Sequence, residues 1–329
     1  MTARSITTFA ATVCLAAILP APVAGQTWSV PRLADGHPDL QGIWNNNTLT
    51  PLQRPPELAG KPYFTEQEAA EYEKRMMAAD NRDRRSADAN QDLGKAYNDG
   101  WYDVGTKVVR GYRTSLIVDP PDGRIPPLTA EGRAKAAALA DERRRKGPEP
   151  ADSWEDRNLA ERCITRGAPK LAGGYNNNFR IVQAPGYVAI LQEMIHETRI
   201  IRVDGSAHLP QNIRTWMGDS RGHWEGDTLV VDTTNFDDRI RFNSFNCCGG
   251  AGGKLHITER FKRVDAETIE YEYTVDDPET FCRPWTVAVP WNRAAGPIYE
   301  YACHEGNYAM EGILRGARAR EAAASAPQK

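Results

Sequence analysis

The chain changes from an irregular to a strand-like pattern near residue 178. From there to about residue 303, short segments alternate apolar and polar residues, and pairs such as Pro-Gly, Asp-Gly and Gly-Asp separate them. Side chains on a strand alternate between two faces, and short strands joined by tight turns are typical of an antiparallel meander. About nine strands with few long crossovers favour a closed barrel over a sandwich. The predicted strands are residues 178–184, 187–194, 198–203, 213–219, 228–236, 254–264, 268–275, 281–289 and 298–303.

The part before the predicted barrel reads as an extended, proline-rich arm that carries two helices. Thr65 and Glu68 form a capping-box pattern, which starts a helix of about 14 residues. Thr129 starts a second helix, and its basic end R-R-R-K before Gly147 fits the helix-dipole and C-cap rules. Short strands are expected within 38–45 and 113–118, and the polar residues 81–92 are expected to be mobile.

The first 25 residues have the pattern of a secretory signal peptide. Arg4 supplies the positive start, residues 6–19 form an apolar core, and residues 23–25 are small. This core is too short to span a bilayer comfortably, and no later segment is apolar for 18 residues. We therefore expect a periplasmic or secreted protein without membrane insertion.

These patterns together predict a mainly β protein. After the signal peptide (1–25), an arm of residues 26–165 with its two helices wraps an antiparallel barrel of residues 166–318. Residues 319–329 are expected to form a disordered tail.

Charge and cysteine content narrow the class of protein. The formal net charge is only −3, so the chain has no basic footprint for nucleic acid. Export implies an oxidising compartment, and an odd number of cysteines follows the signal peptide, which leaves at least one unpaired. Cys247 and Cys248 are adjacent, where a disulfide would be strained. A long-range bridge from Cys163 to Cys303 or Cys282 is favoured, and spacing does not choose between them.

Alternation places two charged residues on the inward face of the predicted barrel. Glu259 shares the phase of its apolar neighbours in one strand, and Arg283 shares that of Trp285 in another. A lone buried charge costs several kcal/mol, so a Glu259–Arg283 ion pair is the simplest arrangement. Tyr271, Tyr273 and Trp285 face the same way and are expected to line a ligand cavity.

Two histidines could reach the same cavity. His196 ends one predicted strand and His304 follows the last one, each in the phase of apolar neighbours. Glu305 and Asn307 could contribute at the rim, and Trp216, in the predicted strand 213–219, is a further ligand-binding candidate.

Sequence motifs for cofactors and nucleophiles are missing. The chain has no G-x-G-x-x-G in a strand–helix context and no P-loop motif. Ser220 lies in G-D-S-R-G, which lacks the strand–turn–helix context of a nucleophile elbow. No histidine, including His208, has the spacing of a metal motif. We therefore expect neither a cofactor nor a bound metal.

Five blocks of the sequence resemble a family of exported bacterial proteins that are mostly uncharacterised. The blocks are D-L-Q-G-I-W (39–44), S-L-I-V-D-P-P-D-G-R-I-P-P-L-T (115–129), G-D-S-R-G-H-W-E-G-D-T-L-V-V-D-T-T-N-F (218–236), T-V-D-D-P-E-T-F-C-R-P-W-T (274–286) and Y-E-Y-A-C-H-E-G-N-Y (299–308). The resemblance covers nearly the whole mature chain and implies no particular activity. G-I-W at 42–44 is also similar to the Gly-x-Trp of lipocalins, which implies a lipocalin-like barrel able to hold one small apolar ligand.

The leading hypothesis is a cofactor-independent enzyme that performs acid–base chemistry on a small apolar or aromatic molecule in the lumen. It would be an isomerase, lyase or hydrolase. His304 or His196 would act as the general base, Glu259 as the acid or orienting group, and Arg283 would hold an oxyanion or carboxylate. The alternatives are a periplasmic carrier without turnover and a structural, envelope-associated protein with a filled barrel. The sequence leaves the substrate and the oligomeric state open.

Overall fold

The computed structural model describes residues 28–81, 83, 85–95, 102–147, 150–239 and 253–326. The predicted signal peptide, the adjacent Cys247 and Cys248, and residues 327–329 lie outside the described residues.

A closed barrel of nine strands dominates the described part of the chain, as the sequence predicted. Along the sheet the strands follow the order β1-β3-β4-β5-β6-β7-β8-β9-β10, and β1 pairs with β10 to close the ring, while β2 lies outside against β10. The strands are β1 (Gly42–Asn45), β2 (Ile117–Asp119), β3 (Asn178–Ala184), β4 (Tyr187–Gln192), β5 (Thr198–Arg202), β6 (Asp219–Glu225), β7 (Thr228–Thr234), β8 (His256–Arg263), β9 (Thr268–Asp276) and β10 (Trp285–Arg293).

The short strand β1 belongs to the barrel and closes it, although it lies far upstream in the sequence. Trp44 pairs with Phe179 of β3 on one side and with Arg293 of β10 on the other. Its ring is fully buried, and its indole nitrogen donates to the Leu40 carbonyl at 2.9 Å. A four-residue strand carries no sequence signal for its partners, so the pattern placed it only in the arm.

The strands predicted at 213–219 and 298–303 do not form at those positions, and the connection from β5 to β6 departs from the meander. Residues 205–218 cross irregularly from β5 to β6, and these two strands touch in parallel at Arg202 and Arg221. The strand expected at 213–219 therefore begins only at Asp219 and continues to the tight turn at Gly226, whose φ is 59°. Residues 298–303 are irregular because a disulfide, rather than strand pairing, holds them.

The two predicted helices form with the expected ends. Helix α1 (Glu66–Ala79) has the reciprocal capping box between Thr65 and Glu68, and α3 (Ala130–Lys146) begins after Thr129 and ends before Gly147. Two helices were not predicted, α2 (Ala89–Lys95) and α4 (Ala309–Ser325). Helix α4 includes residues 319–325, which the sequence pattern assigned to the tail. Among the described helices, none is both long and apolar enough to cross a bilayer.

Candidate functional site at one end of the barrel

Aromatic side chains fill the middle of the barrel lumen. The rings of Phe261 and Tyr271 lie 4.7 Å apart, those of Tyr271 and Trp291 4.8 Å, and those of Phe179 and Trp291 4.3 Å. Tyr273 and Trp285 are also fully buried in this core. The three ligand-wall candidates Tyr271, Tyr273 and Trp285 thus face inward as predicted, but they pack within the core. A ligand in mid-lumen would have to displace them.

Glu259 points into the lumen, but its predicted partner is wrong. The carboxylate is 1% exposed and binds the guanidinium of Arg199, with Nη2 donating to Oε1 at 2.9 Å. The Tyr271 hydroxyl donates to the same carboxylate at 2.7 Å, and burial raises the pKa of Tyr271, which keeps it a neutral donor. Arg199 and Tyr271 thus engage both carboxylate oxygens, so Glu259 does not present a free acid to the lumen.

Arg283 lies outside the barrel. Its side chain is 50% exposed and binds the carboxylate of Asp119 in β2, at 2.6 Å and 2.8 Å. Strand β10 begins only at Trp285, so the alternation does not extend back to Arg283. Arg199 was missed, although it alternates with the buried Ile201 in a predicted strand. That phase was the available signal.

The two histidine candidates occupy exposed positions at one end of the barrel. His196 follows β4, and its Nδ1 lies 2.7 Å from the Tyr301 carbonyl oxygen. The Cys163–Cys303 disulfide ties down the adjoining segment that carries His304. The structure therefore brings His196 close to the predicted His304 segment, but Glu259 and Arg283 do not join them.

The remaining candidates have structural contacts. Asn307 donates to the Cys303 carbonyl at 3.0 Å and accepts from the Ala309 amide at 3.1 Å, at the start of α4, while Glu305 is exposed. Trp216 is half-buried, with the Arg239 guanidinium 4.5 Å above its ring. The bridge from Cys163 to Cys303 confirms one of the two predicted pairings, and Cys282 is free and exposed.

A chain of imidazole and carboxylate groups lies on the outer face of β6–β8. His208 bridges Asp219, at 2.9 Å, and Asp232, at 2.7 Å, and Asp232 also binds His256. The hydrogen bond that His256 donates to the Asp232 carboxylate raises the pKa of His256. These bonds attach the irregular segment 205–218 to the barrel wall. In the described part of the chain, no group of His, Cys, Asp or Glu is arranged to hold a metal ion.

Two cavities differ in the charges that they enclose. A groove of about 860 Å³ separates α1 from the outer face of β8–β10, and both acidic and basic residues line it. Its Lys107 pairs with Glu73 at 2.8 Å, which neutralises part of that charge. A second cavity of about 440 Å³ lies where β1 and β4 end and β3 begins, and we call it the barrel-end cavity.

The barrel-end cavity combines an apolar wall with two basic side chains. Leu52, Leu116, Leu171 and Met194 form the apolar wall, and Asn46, Thr48, Thr50 and Tyr175 add polar groups. The basic groups are Arg166 and Lys170, and none of the described lining residues is acidic. The turn beside Met194 has two consecutive left-handed residues, Ile195 (φ 64°) and His196 (φ 48°). Such backbone conformations are costly for a β-branched residue and cluster at functional sites.

Lys170 is the most unusual residue of this cavity. It is 6% exposed, and its Nζ donates to Asn177 Oδ1 at 3.1 Å and lies 5.6 Å from the centre of the Phe179 ring. In the described part of the chain it forms no ion pair with a carboxylate. Burial, together with the positive charge of Arg166, lowers the pKa of Lys170 to about 8, and the buried carboxylate of Glu193 offsets only part of this shift.

Asn46 adds a second incompletely satisfied group. It is 1% exposed, and its Nδ2 donates to the Lys170 carbonyl at 2.8 Å. Within the described residues its Oδ1 has no hydrogen-bond partner. Buried polar groups are nearly always hydrogen-bonded in native proteins, so a donor-rich ammonium and an open amide oxygen beside one cavity indicate a place for a polar ligand.

Sequence reasoning missed this site because Lys170 lies on an irregular segment, A-P-K-L-A-G-G, where alternation assigns no face. The only signal was a single lysine between apolar and glycine residues. A scan against models of protein families and searches of curated proteins and of solved structures found no match to this chain. The resemblance to an exported bacterial family therefore stays a prediction.

Proposed function

We propose that the barrel binds a small apolar or aromatic organic anion, such as a carboxylate, in the barrel-end cavity. The observation that carries this proposal is Lys170, a buried cation that lines the cavity without an ion pair to an acid of the described chain. Taking a charge out of water costs several kcal/mol unless a partner compensates. A ligand carboxylate would supply that partner.

The shape and lining of the cavity support a ligand of this class. A volume of about 440 Å³ falls within the range of roughly 300–1,000 Å³ that is usual for small-molecule sites. The leucines and Met194 would contact the apolar body, while Lys170 and Arg166 would face the anionic end. With two basic and no acidic side chains in the lining, a neutral or cationic ligand is less favoured.

Turnover is a second candidate function, with a different residue from those predicted. An amine with a pKa of about 8 titrates near physiological pH, so Lys170 could accept a proton from a bound molecule. The acid–base role assigned to His304 or His196 would then pass to Lys170. The two exposed histidines remain candidates for the rim.

We also propose that the protein is exported. The Cys163–Cys303 disulfide supports this, because structural disulfides persist mainly in oxidising compartments.

Ligand-dependent thermal unfolding tests the binding proposal. The probes are benzoate, cyclohexanecarboxylate and hexanoate, each compared with its neutral amide. We expect the carboxylates to raise the Tm of the wild type, by the equivalent of about 2.7 kcal/mol at a hundredfold excess over Kd. The amides should have little effect. The Lys170→Met variant should not respond, whereas Lys74→Met, which removes an exposed lysine on α1, should behave as wild type.

Equal stabilisation by acids and amides would contradict the proposal, and so would an undiminished response of Lys170→Met. If binding is found, NMR of the recovered probe distinguishes the two candidate functions. An unchanged probe after long incubation favours a carrier, and a product formed by wild type but not by Lys170→Met favours an enzyme.

A further inference from the structure

We propose that Lys170 is a covalent site, whose Nζ forms an imine with small apolar or aromatic aldehydes and ketones. The inference rests on the proposed function, because it uses the same cavity. It adds a second ligand chemistry, since carbonyl compounds are neutral and would be held by a bond instead of by charge.

The amine is held in place by an uncharged acceptor, and the buried Glu193 carboxylate offsets part of its charge without forming an ion pair. Its one hydrogen-bond acceptor in the described chain is the uncharged Asn177 Oδ1, at 3.1 Å. Asn177 is itself fixed, because Oδ1 accepts from the Gly173 amide at 2.7 Å and Nδ2 donates to the Asp103 carbonyl at 2.6 Å. Arg199, by contrast, meets the carboxylate of Glu259.

The other end of the lysine is also anchored. Asn46 Nδ2 donates to the Lys170 carbonyl at 2.8 Å, so backbone and side chain are each bound by a buried amide. The residue lines the cavity, so the proposal requires a ligand there to reach its Nζ. A fixed position at the wall of a cavity is the geometry that a nucleophile needs.

The environment also favours the reactive form of the amine. Only a neutral amine attacks a carbonyl carbon, and an ordinary lysine is neutral in about 1 molecule in 3,000 at pH 7. With a pKa of about 8, about one in ten Lys170 side chains is neutral at that pH. This difference predicts labelling faster than at exposed lysines by roughly two orders of magnitude.

The reaction balances without an oxidant or a reductant. The neutral Nζ attacks the carbonyl carbon, and one N–H proton passes to the former carbonyl oxygen to give a carbinolamine. Protonation of that hydroxyl releases water and leaves a protonated carbon–nitrogen double bond. In total, an ammonium group and a carbonyl compound give an iminium ion and one water molecule.

Reductive trapping tests the proposal on the full, disulfide-bonded chain. The protein is incubated with benzaldehyde and cyanoborohydride at pH 7, and the benzyl adducts are counted by intact mass and located by peptide mapping. We expect a single early adduct on Lys170 in the wild type and in the matched control Lys74→Arg, and none at this rate in Lys170→Arg. The early labelling rate should rise with pH and level off above about pH 8.

Adducts spread evenly over the surface lysines of the wild type would overturn the imine. The peptide map needs no variant, so this result stands even if Lys170→Arg folds poorly. Benzoate separates this inference from the binding proposal. If benzoate raises the Tm but benzaldehyde gives no Lys170 adduct, only the imine is wrong. If benzoate does not raise the Tm and benzaldehyde gives no Lys170 adduct, both proposals fail. If it raises the Tm and slows the adduct, both hold.

Discussion

Replacing Lys170 by methionine should make the folded protein more stable at neutral pH, although it removes the ligand site. Methionine has a similar length and volume, so it can occupy the same space beside the Phe179 ring without leaving a large void. It carries no charge into the interior. Most substitutions of buried residues destabilise, so the expected sign is itself diagnostic.

The magnitude follows from the pKa of Lys170. A tenfold change in an equilibrium constant is about 1.4 kcal/mol, so a pKa lowered from 10.5 to about 8 costs the buried ammonium about 3 kcal/mol. The lost hydrogen bond to Asn177 Oδ1 offsets about 1 kcal/mol, and that oxygen still accepts from the Gly173 amide. The net gain should be about 2 kcal/mol.

The gain should also depend on pH in a defined window. Below about pH 8 the lysine is charged in both the folded and the unfolded state, and the full cost is present. Between about 8 and 10.5 the unfolded chain binds more protons than the folded one, so the unfolding free energy of the wild type rises with pH. The advantage of Lys170→Met should therefore shrink over this window and be gone before its upper end, because the cost that is lost, about 3 kcal/mol, exceeds the net gain of about 2 kcal/mol.

Guanidinium unfolding of wild type, Lys170→Met and Lys74→Met at pH 7 and pH 10 measures this difference. Other groups that titrate at high pH, such as the buried tyrosines, are common to all three chains and cancel in the comparison. Lys74→Met should match the wild type at both pH values, since its lysine is exposed. If Lys170→Met is less stable than the wild type at pH 7, the claim that the buried ammonium of Lys170 destabilises the folded protein is refuted.

Two further predictions concern the barrel and its C-terminal segment. Glu259→Gln should lower the unfolding free energy by roughly 3–5 kcal/mol because it leaves Arg199 buried without its countercharge. Asp119→Asn removes a charge from an exposed pair and should cost under about 1 kcal/mol. Equal losses of the two variants in guanidinium unfolding would contradict this assignment. Replacing Cys163 and Cys303 by alanine opens a bridge between positions 140 residues apart and should cost roughly 2–5 kcal/mol. The Tm of this double variant should no longer respond to reductant, and a persistent response would contradict the Cys163–Cys303 pairing.

The sequence predicted those features that depend on neighbours along the chain. Alternation within one strand placed Glu259, Tyr271 and Tyr273 inward, and all three are buried. The capping box at Thr65 depends on residues three apart, and it forms as expected. Such signals are local because a strand or a helix end is defined by its own backbone.

Contacts between distant segments could not be predicted in the same way. Glu259 in β8 meets Arg199 in β5, with β6 and β7 between them along the sheet, so the pair forms across the closed barrel. The partner of Glu259 depends on where the ring closes, and β1 closes it through Trp44, which pairs with Phe179 of β3 although 179 − 44 = 135 positions separate them. Which strands face each other across the barrel is set by tertiary pairing, and the alternation within one strand does not encode it.

Two buried cations in this protein illustrate how a site differs from a structural contact. Arg199 meets a carboxylate that also accepts from a tyrosine hydroxyl, so its charge is compensated within the chain. Lys170 is as deeply buried, yet its one hydrogen-bond acceptor is neutral, Glu193 compensates its charge only in part, and it lines a cavity. Residue type does not separate these cases, since both are single basic residues among apolar neighbours. What separates them is the partner that the fold supplies, which is a carboxylate for Arg199 and a neutral amide oxygen for Lys170. The cavity beside Lys170 leaves room for a ligand carboxylate to supply the missing countercharge.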